Sequence, residues 1–340
     1  MNRRERTETA RERDDRPANA PKVEPAGEVK GQTANESKGA AGWKAGWPEE
    51  ELLRRLDELK LAARAIARAT MPGRRRSRQL GASLDFADYR LYSPGDDIRQ
   101  LDWNAYGRTG KPFVKLFLDE QELMVHLWID ASKSMDFGKK TDGATFHKFD
   151  YARHLAACIG YVALAGYDRV TARFFTDRVT AEEGPLRGKG SAARLFRFLS
   201  EGSVQAAGNL DRAVMQPASA PRFPGMTWVF SDFLYESGVE QALGYLLAAR
   251  QEVIAVHILE PGELNPQLSG ELRLIDSESG SGREVAVSER VLEEYRGAVR
   301  RYTAQLRQLC AERGIRYVLA VTGTPVMETV AALLRSLAPR

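Results

Sequence analysis

The stretch that decides the fold of this chain is Val125-His126-Leu127-Trp128-Ile129-Asp130-Ala131-Ser132-Lys133-Ser134-Met135. Its first half is a short apolar run, typical of a buried parallel strand. The run ends abruptly in Asp130, and two hydroxyl side chains follow at every second position. Because open α/β sheets bind ligands just past the carboxyl ends of their strands, this loop is predicted to lie at a ligand site.

The loop combines one carboxylate with two hydroxyls, from Asp130, Ser132 and Ser134. These hard oxygen donors suit Mg²⁺ better than they suit a soft metal. The same residue types also cap helices and form turns, so a purely structural role is the competing interpretation. The loop by itself leaves both interpretations open.

Segments of strand type and helix type alternate along the rest of the chain. The predicted core strands are Leu123–Ile129, Arg169–Phe175, Met226–Phe230, Val253–Leu259 and Ile315–Val321. The predicted helices are Lys148–Gly166, Ser191–Leu199, Leu210–Met215, Val239–Arg250, Glu289–Arg313 and Val326–Leu337. This alternation predicts a doubly wound, mostly parallel α/β sheet of the Rossmann type, with helices on both faces. Leu272–Ile275 and Glu284–Val287 fall outside the alternation and are predicted to form a hairpin.

The composition limits the class of protein. With 340 residues, 43% of them hydrophobic and 28% charged, the chain is long enough for one large core or two modest ones. A formal net charge of +4 is far from that of a protein that coats nucleic acid. The sequence has neither an apolar stretch of about 18 residues nor a signal peptide, so we expect a cytoplasmic protein without membrane spans.

The first part of the chain is predicted to lie outside the sheet. Residues 1–46 carry almost no large apolar side chain and are predicted to be a disordered tail. Glu49–Ala69 follows Pro48, has an apolar stripe at helical spacing and is predicted to be a helix. The basic loop after it contains Arg74, Arg75, Arg76 and Arg78. We interpret this loop as a solvated connection, with the binding of phosphate, nucleic acid or an acidic partner as the alternative.

Residues 81–117 interleave aspartates, arginines and aromatic residues, and we call them the Asp/Arg-rich segment. The charged and aromatic side chains that define it include Asp88, Arg90, Asp96, Asp97, Arg99, Asp102, Trp103 and Arg108. Pro94-Gly95 predicts a turn among them. One interpretation is a partly buried network of ion pairs that fixes an irregular segment to the sheet. The other interpretation is a partner-binding surface.

These motifs resemble the signature of the bacterial and archaeal family called domain of unknown function 58. The signature pattern is Tyr-Arg-x-Tyr, Pro-Gly-Asp-Asp, x-Arg-x-x-Asp-Trp and Arg-Thr-Gly, and this chain matches it at Tyr89-Arg90-Leu91-Tyr92, Pro94 to Asp97, Arg99, Asp102-Trp103 and Arg108 to Gly110. In that family the signature precedes a von Willebrand factor A-like domain. The resemblance implies a signature part at residues 47–118, with its helix, and a von Willebrand A-like domain at residues 119–340, after the tail at 1–46.

Asp130-x-Ser132-x-Ser134 resembles the first loop of the metal-ion-dependent adhesion site of von Willebrand A domains. The resemblance implies a threonine from a second loop and an aspartate from a third. Asp232, just after an apolar strand, matches the aspartate, but Gly208 stands where the threonine is expected. The implied ligands are therefore Asp130, Ser132, Ser134 and Asp232, exposed in a crevice at the strand ends. With one ligand missing, Mg²⁺ binding is expected to be weak.

We interpret the chain as a non-catalytic protein-binding module rather than an enzyme. The sequence contains no Gly-x-Ser-x-Gly elbow, no Gly-x-x-x-x-Gly-Lys-Ser/Thr phosphate loop and no His-Glu-x-x-His zinc motif. The family resemblance implies a MoxR-type AAA+ ATPase as the partner, in a chaperone-like system. The alternatives are a metal-assisted hydrolase and a nucleic-acid binding protein that uses the basic loop.

Overall fold

The computed structural model describes residues 22–24, 48–59, 86–117, 123–138, 140–141, 144–145, 147–205, 207–217, 219–221, 223–267, 270–275 and 282–337. The basic loop at residues 74–78 lies outside the described residues. In chain order, the strands are β1 (Lys22–Glu24), β2 (Phe86–Leu91), β3 (Phe113–Phe117), β4 (Met124–Asp130), β5 (Lys140–Thr141), β6 (Ala144–Thr145), β7 (Arg169–Phe175), β8 (Val179–Arg187), β9 (Gly225–Ser231), β10 (Gln251–Leu259), β11 (Gly270–Ile275), β12 (Gly282–Val287) and β13 (Arg316–Val321). The helices are α1 (50–59), α2 (Trp103–Thr109), α3 (Lys148–Ala165), α4 (Ala192–Glu201), α5 (Leu210–Met215), α6 (Val239–Ala248), α7 (Pro261–Leu264), α8 (Glu289–Glu312) and α9 (Val326–Arg335).

A six-stranded sheet in the order β13-β10-β9-β4-β7-β8 forms the centre of the fold. Neighbouring strands are parallel, except that β8 runs antiparallel to β7 at one edge. From β4 the chain first builds one side of the sheet, through β7 and β8. It then returns to β9 and builds the other side. The predicted fold class, a doubly wound and mostly parallel α/β sheet, is confirmed.

Alternate residues of β4 face two separate apolar cores. Leu127 and Ile129 pack in the core that contains α3, α4 and α9. Trp128 packs in the opposite core, with α5, α6 and α8. Every residue of α3 is buried, as is typical of a helix enclosed on all sides. The helices therefore cover both faces of the sheet, as the alternation of strands and helices predicted.

Two smaller units accompany the main sheet. The predicted hairpin is confirmed by β11 and β12, which pair antiparallel. β1 adds a third strand by pairing with β11, so residues 22–24 of the predicted tail form a strand. In the Asp/Arg-rich segment, β2 and β3 pair antiparallel on either side of α2.

The helix α1 is attached to the sheet domain through α3. Its Leu56 is buried in the core that contains α3. Asp57 accepts hydrogen bonds from the Tyr161 hydroxyl at 3.2 Å and from Lys189 Nζ at 2.7 Å. Within the part of the chain that the structure describes, no helix is both long enough and apolar enough to cross a membrane.

Candidate functional site

The candidate site lies at the ends of β4 and β9, the two neighbouring strands from which the chain continues to opposite sides of the sheet. These two strands are parallel neighbours, with Ile129 opposite Phe230. The chain leaves β4 toward β7 and leaves β9 toward β10, so the two following loops diverge. Such a switch point is where doubly wound sheets bind ligands. It brings the predicted site residues Asp130 and Asp232 to the same edge of the sheet.

The carboxylate of Asp130 is buried and accepts hydrogen bonds on both oxygens. Oδ1 accepts the backbone N–H of Ser132 at 2.9 Å. Oδ2 accepts the hydroxyl of Ser231 at 2.6 Å and that of Tyr235. The Ser231 oxygen in turn accepts the backbone N–H of Phe233 at 2.8 Å, which fixes the serine as a donor to Asp130.

Burial shifts the protonation of this group. It raises the pKa of Asp130 to about 6, together with the negative charge of Asp232 and against the hydrogen bonds from Ser231, Tyr235 and Ser132. Burial, followed by the adjacent Asp130 charge, also raises the pKa of Tyr235. The Tyr235 hydroxyl therefore keeps its proton and remains a donor to the carboxylate.

The carboxylate of Asp232 is held by a lysine. Its Oδ2 accepts Lys148 Nζ at 2.8 Å, and its Oδ1 accepts the backbone N–H of Leu234 at 3.1 Å. The same Nζ donates to Glu263 Oε1 at 2.7 Å. Lys148, Asp232 and Glu263 are all buried, and we call them the lysine triad.

The lysine of the triad is charged at neutral pH. Burial alone lowers the pKa of Lys148, but the carboxylates of Asp232 and Glu263 outweigh it and hold that pKa above its ordinary value. Burial raises the pKa of Glu263, and the charge of Lys148 opposes that rise. The site thus contains a buried cation shared by two carboxyl groups.

The residues at the strand ends do not fit the predicted Mg²⁺ site. Both oxygens of Asp130 and both oxygens of Asp232 already accept hydrogen bonds from the chain. The hydroxyls of Ser132 and Ser134 lie 3.0 Å from each other and are hydrogen-bonded. Mg²⁺ requires oxygen ligands in near-octahedral geometry at about 2.0–2.1 Å. Among the described residues, no three His, Cys, Asp or Glu side chains are grouped to hold a metal ion.

The second loop supplies no ligand either. A Cβ atom added at Gly208 would lie 2.6 Å from Ser132 Cβ and 3.0 Å from Tyr235 Cε1, so the expected threonine has no room. The next residue, Asn209, uses its side-chain oxygen to cap α5 by accepting the Arg212 N–H at 3.1 Å.

The expectation that the site residues are exposed is wrong. Asp130, Ser132 and Asp232 are each 0% exposed. The reason is local packing, because Gly208 lies against Ser132 and because Tyr235 and Lys148 are hydrogen-bonded directly to the two carboxylates. Ser134 is half-buried.

Four further residues complete this site and were not predicted from the sequence: Lys148, Ser231, Tyr235 and Glu263. A signal existed for Lys148, since a lysine opens a helix that is apolar on nearly all sides. Ser231 was also detectable, as the hydroxyl at the end of the strand next to β4. Glu263 had no comparable signal, because it lies in the short helix α7, outside any motif.

Two aspartates of the predicted ion network in the Asp/Arg-rich segment are caps: Asp97 caps a turn and Asp102 caps a helix. Asp102 Oδ1 accepts the backbone N–H groups of Asn104 at 2.9 Å and Ala105 at 3.0 Å, which caps α2. Asp102 Oδ2 accepts the Tyr89 hydroxyl at 2.8 Å. Asp97 caps a short 3₁₀ turn by accepting the Arg99 N–H at 2.9 Å.

The three arginines of the Asp/Arg-rich segment and Trp103 lie at the surface. Arg90 pairs with Asp96 at 2.8 Å in a partly exposed ion pair. The side chains of Arg99 and Arg108 are exposed, and neither forms an ion pair with a residue that the structure describes. Trp103 is 66% exposed. The segment is therefore structural at Asp102 and open to solvent on its aromatic and arginine side.

The chain matches a known protein family. Residues 88–305 match the family model described as "Protein of unknown function DUF58". The chain belongs to the DUF58 family. The DUF58 match includes most of the Asp/Arg-rich segment and both site loops, after β4 and β9.

The chain is also similar to proteins of mycobacteria. The chain is 30% identical over 230 residues to the uncharacterized protein Rv1480 of Mycobacterium tuberculosis, covering 66% of this chain and 71% of the relative. The uncharacterized protein Mb1516 of Mycobacterium bovis is similar to the same extent.

Two solved structures also resemble the chain at 13% identity. Conserved hypothetical protein BatB of Bacteroides thetaiotaomicron covers 63% of this chain and 97% of its own, with a TM-score of 0.36. An aerotolerance-related membrane protein of Bacteroides fragilis covers 63% and 98%, with a TM-score of 0.35.

Replacing Asp102 tests whether it acts as a cap within the DUF58 signature. Asp102→Ala is expected to destabilise α2 by about 0.5–2 kcal/mol, because two backbone N–H groups lose their acceptor. Hydrogen exchange of the α2 amides measures this loss. Asp102→Asn is the control, since asparagine caps helices as well as aspartate does. Equal losses in both variants would mean that the negative charge, not the cap, is what matters.

Proposed function

We propose that this chain is a non-catalytic protein-binding module, an adaptor for a MoxR-type AAA+ ATPase. We also propose that it docks through the exposed side of the Asp/Arg-rich segment. The observation that carries this proposal is the set of large apolar side chains that this segment leaves in solvent. They are Tyr89, Leu91, Ile98, Trp103 and Tyr106. The identity of the ATPase class rests on the family resemblance.

Most of these exposed apolar side chains are clustered. Trp103 and Tyr106 lie one turn apart on α2, with their rings edge to face and 6.3 Å between centroids. Tyr89 reaches the cap of the same helix through Asp102. Leu91 lies two residues from Tyr89 and so shares its face of β2. Grouped exposure of this kind is uncommon on a surface with no partner.

The residue types are also those that dominate protein interfaces. Tryptophan, tyrosine and arginine are the commonest residues at binding hot spots. Trp103 and Tyr106 are 66% and 44% exposed, and Arg99 and Arg108 are exposed beside them in sequence. The arginines favour a partner surface that carries acidic groups. We therefore propose that the ATPase binds these aromatic residues and arginines through a surface that carries acidic groups.

The contacts at the strand ends support a non-catalytic role. A general base or nucleophile needs a polar atom directed at a substrate. The carboxylates of Asp130 and Asp232 are instead directed at donors of the same chain, and the hydroxyls of Ser132 and Ser134 bond each other. These contacts favour a structural role over hydrolysis.

A binding assay tests the proposed docking surface. The MoxR-type ATPase from the same genome is immobilised, and the full chain is titrated by biolayer interferometry. The double variant Trp103→Ala/Tyr106→Ala is expected to bind at least tenfold more weakly, because each exposed ring contributes on the scale of a hot spot. Its melting temperature should stay close to that of the parent, since both rings lie in solvent.

Phe223→Ala is the matched control, because Phe223 is an equally exposed aromatic residue outside the segment. It should bind as the parent does. If the double variant binds normally while Asp130→Asn does not, binding of the partner depends on the strand-end site, and the proposed surface is wrong. If the ATPase does not bind the parent at all, the proposed partner is wrong.

A further inference from the structure

We infer that the ammonium of Lys148 is the resident cation of the strand-end site, and that the site needs no divalent metal. The lysine ammonium binds one of the carboxylates that the family resemblance implies as a metal ligand, that of Asp232. It lies at the start of α3, the helix after the Asp130 loop, and it bonds the Asp232 carboxylate of the third loop. This inference concerns the site itself and does not depend on the proposed partner.

The geometry of the lysine triad resembles cation coordination. Nζ lies 2.8 Å from Asp232 Oδ2 and 2.7 Å from Glu263 Oε1. These are the distances of charge-assisted hydrogen bonds between an ammonium and a carboxylate. Calcium would lie only slightly closer to its oxygens, at about 2.3–2.6 Å. A divalent ion placed between Asp232 Oδ2 and Glu263 Oε1 would have to displace Nζ from the position that it already fills.

The triad is fixed by the backbone on each side. Glu263 Oε2 accepts the backbone N–H of Glu260 at 2.8 Å within a capping box, which leaves Oε1 for the lysine. The backbone N–H of Lys148 donates to the Phe137 carbonyl at 2.9 Å, and the Phe137 ring lies 5.4 Å from Nζ. The three charged groups are therefore held in place before any ligand arrives.

The three side chains of the lysine triad are almost completely closed to solvent. The side chains of Lys148 and Asp232 are 1% and 0% exposed, and that of Glu263 is 3% exposed. A buried ammonium between two carboxylates neutralises one of their charges without water or metal. Removal of the ammonium would leave two buried carboxyl groups facing the space it occupied, which is an arrangement that hard divalent cations prefer.

The first arm of the test uses the parent protein. Isothermal titration calorimetry with Mg²⁺ and with Ca²⁺ should give no saturable heat, and neither millimolar metal nor EDTA should change the melting temperature. Stoichiometric binding accompanied by a rise in melting temperature would overturn the inference. This arm requires only the natural chain, so it stands even if a variant fails to fold.

The second arm removes the ammonium. Lys148→Met should lower the melting temperature by roughly 5–10 °C, because two buried carboxylates lose their shared partner. Millimolar Ca²⁺ or Mg²⁺ should restore several degrees to this variant by binding its folded state. The control is Lys133→Met, which removes an exposed lysine from the Asp130 loop and should show neither effect.

Two outcomes of the second arm would overturn the inference. If Lys148→Met melts like the parent, the ammonium is not an essential charge of the site. If the variant is destabilised but does not respond to metal, Lys148 is an ordinary buried ion-pair partner and does not stand in a cation site. Metal rescue limited to Lys148→Met supports the inference.

Discussion

Replacing Arg153 with methionine is expected to lower the free energy of unfolding by about 3–5 kcal/mol. Arg153 is buried in α3, where its Nη1 donates to the carbonyls of Leu199 at 3.0 Å, Ser200 at 3.0 Å and Gly202 at 3.2 Å. Its Nη2 pairs with Asp150, which is buried as well. Methionine would leave the Asp150 carboxylate without this counter-charge and the three carbonyls without their donor.

Urea denaturation followed by circular dichroism measures this loss. The informative control is the double variant Arg153→Met/Asp150→Ala, which also removes the carboxylate that has lost its counter-charge. The double variant should be more stable than Arg153→Met alone, because the uncompensated charge is the larger part of the cost. A single variant within about 1 kcal/mol of the parent would show that this ion pair contributes little.

Replacing Asp130 with asparagine is expected to stabilise the protein at neutral pH, on the order of 2 kcal/mol. The pKa of Asp130 is raised from its ordinary value of 3.8 to about 6 in the folded state, chiefly by burial. At pH 7.5 the folded protein therefore holds a buried carboxylate near Asp232, which asparagine replaces with a neutral group. The hydroxyls of Ser231 and Tyr235 can accept as well as donate, so they can bond the amide.

The pH dependence has a definite sign. Between about pH 4 and pH 6 the folded parent binds a proton at Asp130 that the unfolded chain does not bind. The contribution of the protonated Asp130 to the stability of the parent is therefore fully present below about pH 4. This contribution is lost as the pH rises through 6. The advantage of Asp130→Asn should be largest above pH 6 and should shrink toward pH 4.

Thermal melts from pH 4 to pH 8 measure this difference. Asp97→Asn is the control, since it replaces an exposed capping carboxylate with an equally good cap. It should change stability little at any pH. If Asp130→Asn is instead destabilised across the whole range, the ionised carboxylate is required by the fold or by a bound cation.

Most core strands were predictable because they are short segments rich in apolar, β-branched and aromatic residues. Arg169–Phe175 was predicted with the bounds that the structure shows, and so was the helix Leu210–Met215. β8 was not predicted, because the charged pair Glu182-Glu183 and then Gly184-Pro185 interrupt its sequence. Edge strands tolerate proline and charge, which removes the apolar signal on which the prediction depends.

The candidate site was predictable only in part. The position of Asp130 and Asp232 at one sheet edge followed from two apolar strands that each end in a polar residue. The lysine triad did not follow, because its bonds join residues 84 and 115 positions apart. The capping role of Asp102 was missed for a different reason, since ion pairing and capping use the same carboxylate and the arginines nearby favoured the first interpretation.

The distances along the chain within the lysine triad also determine when this site can form during synthesis. Glu263 follows Lys148 by 115 residues and Asp232 follows it by 84. At about 5–20 residues per second, the ribosome adds the last partner several seconds after the lysine. Until Asp232 emerges, an ammonium at the start of the apolar helix α3 has no counter-charge from the triad, and until Glu263 emerges it has only one of its two. The first turn of α3 can therefore become enclosed only late in translation, after α7 has emerged.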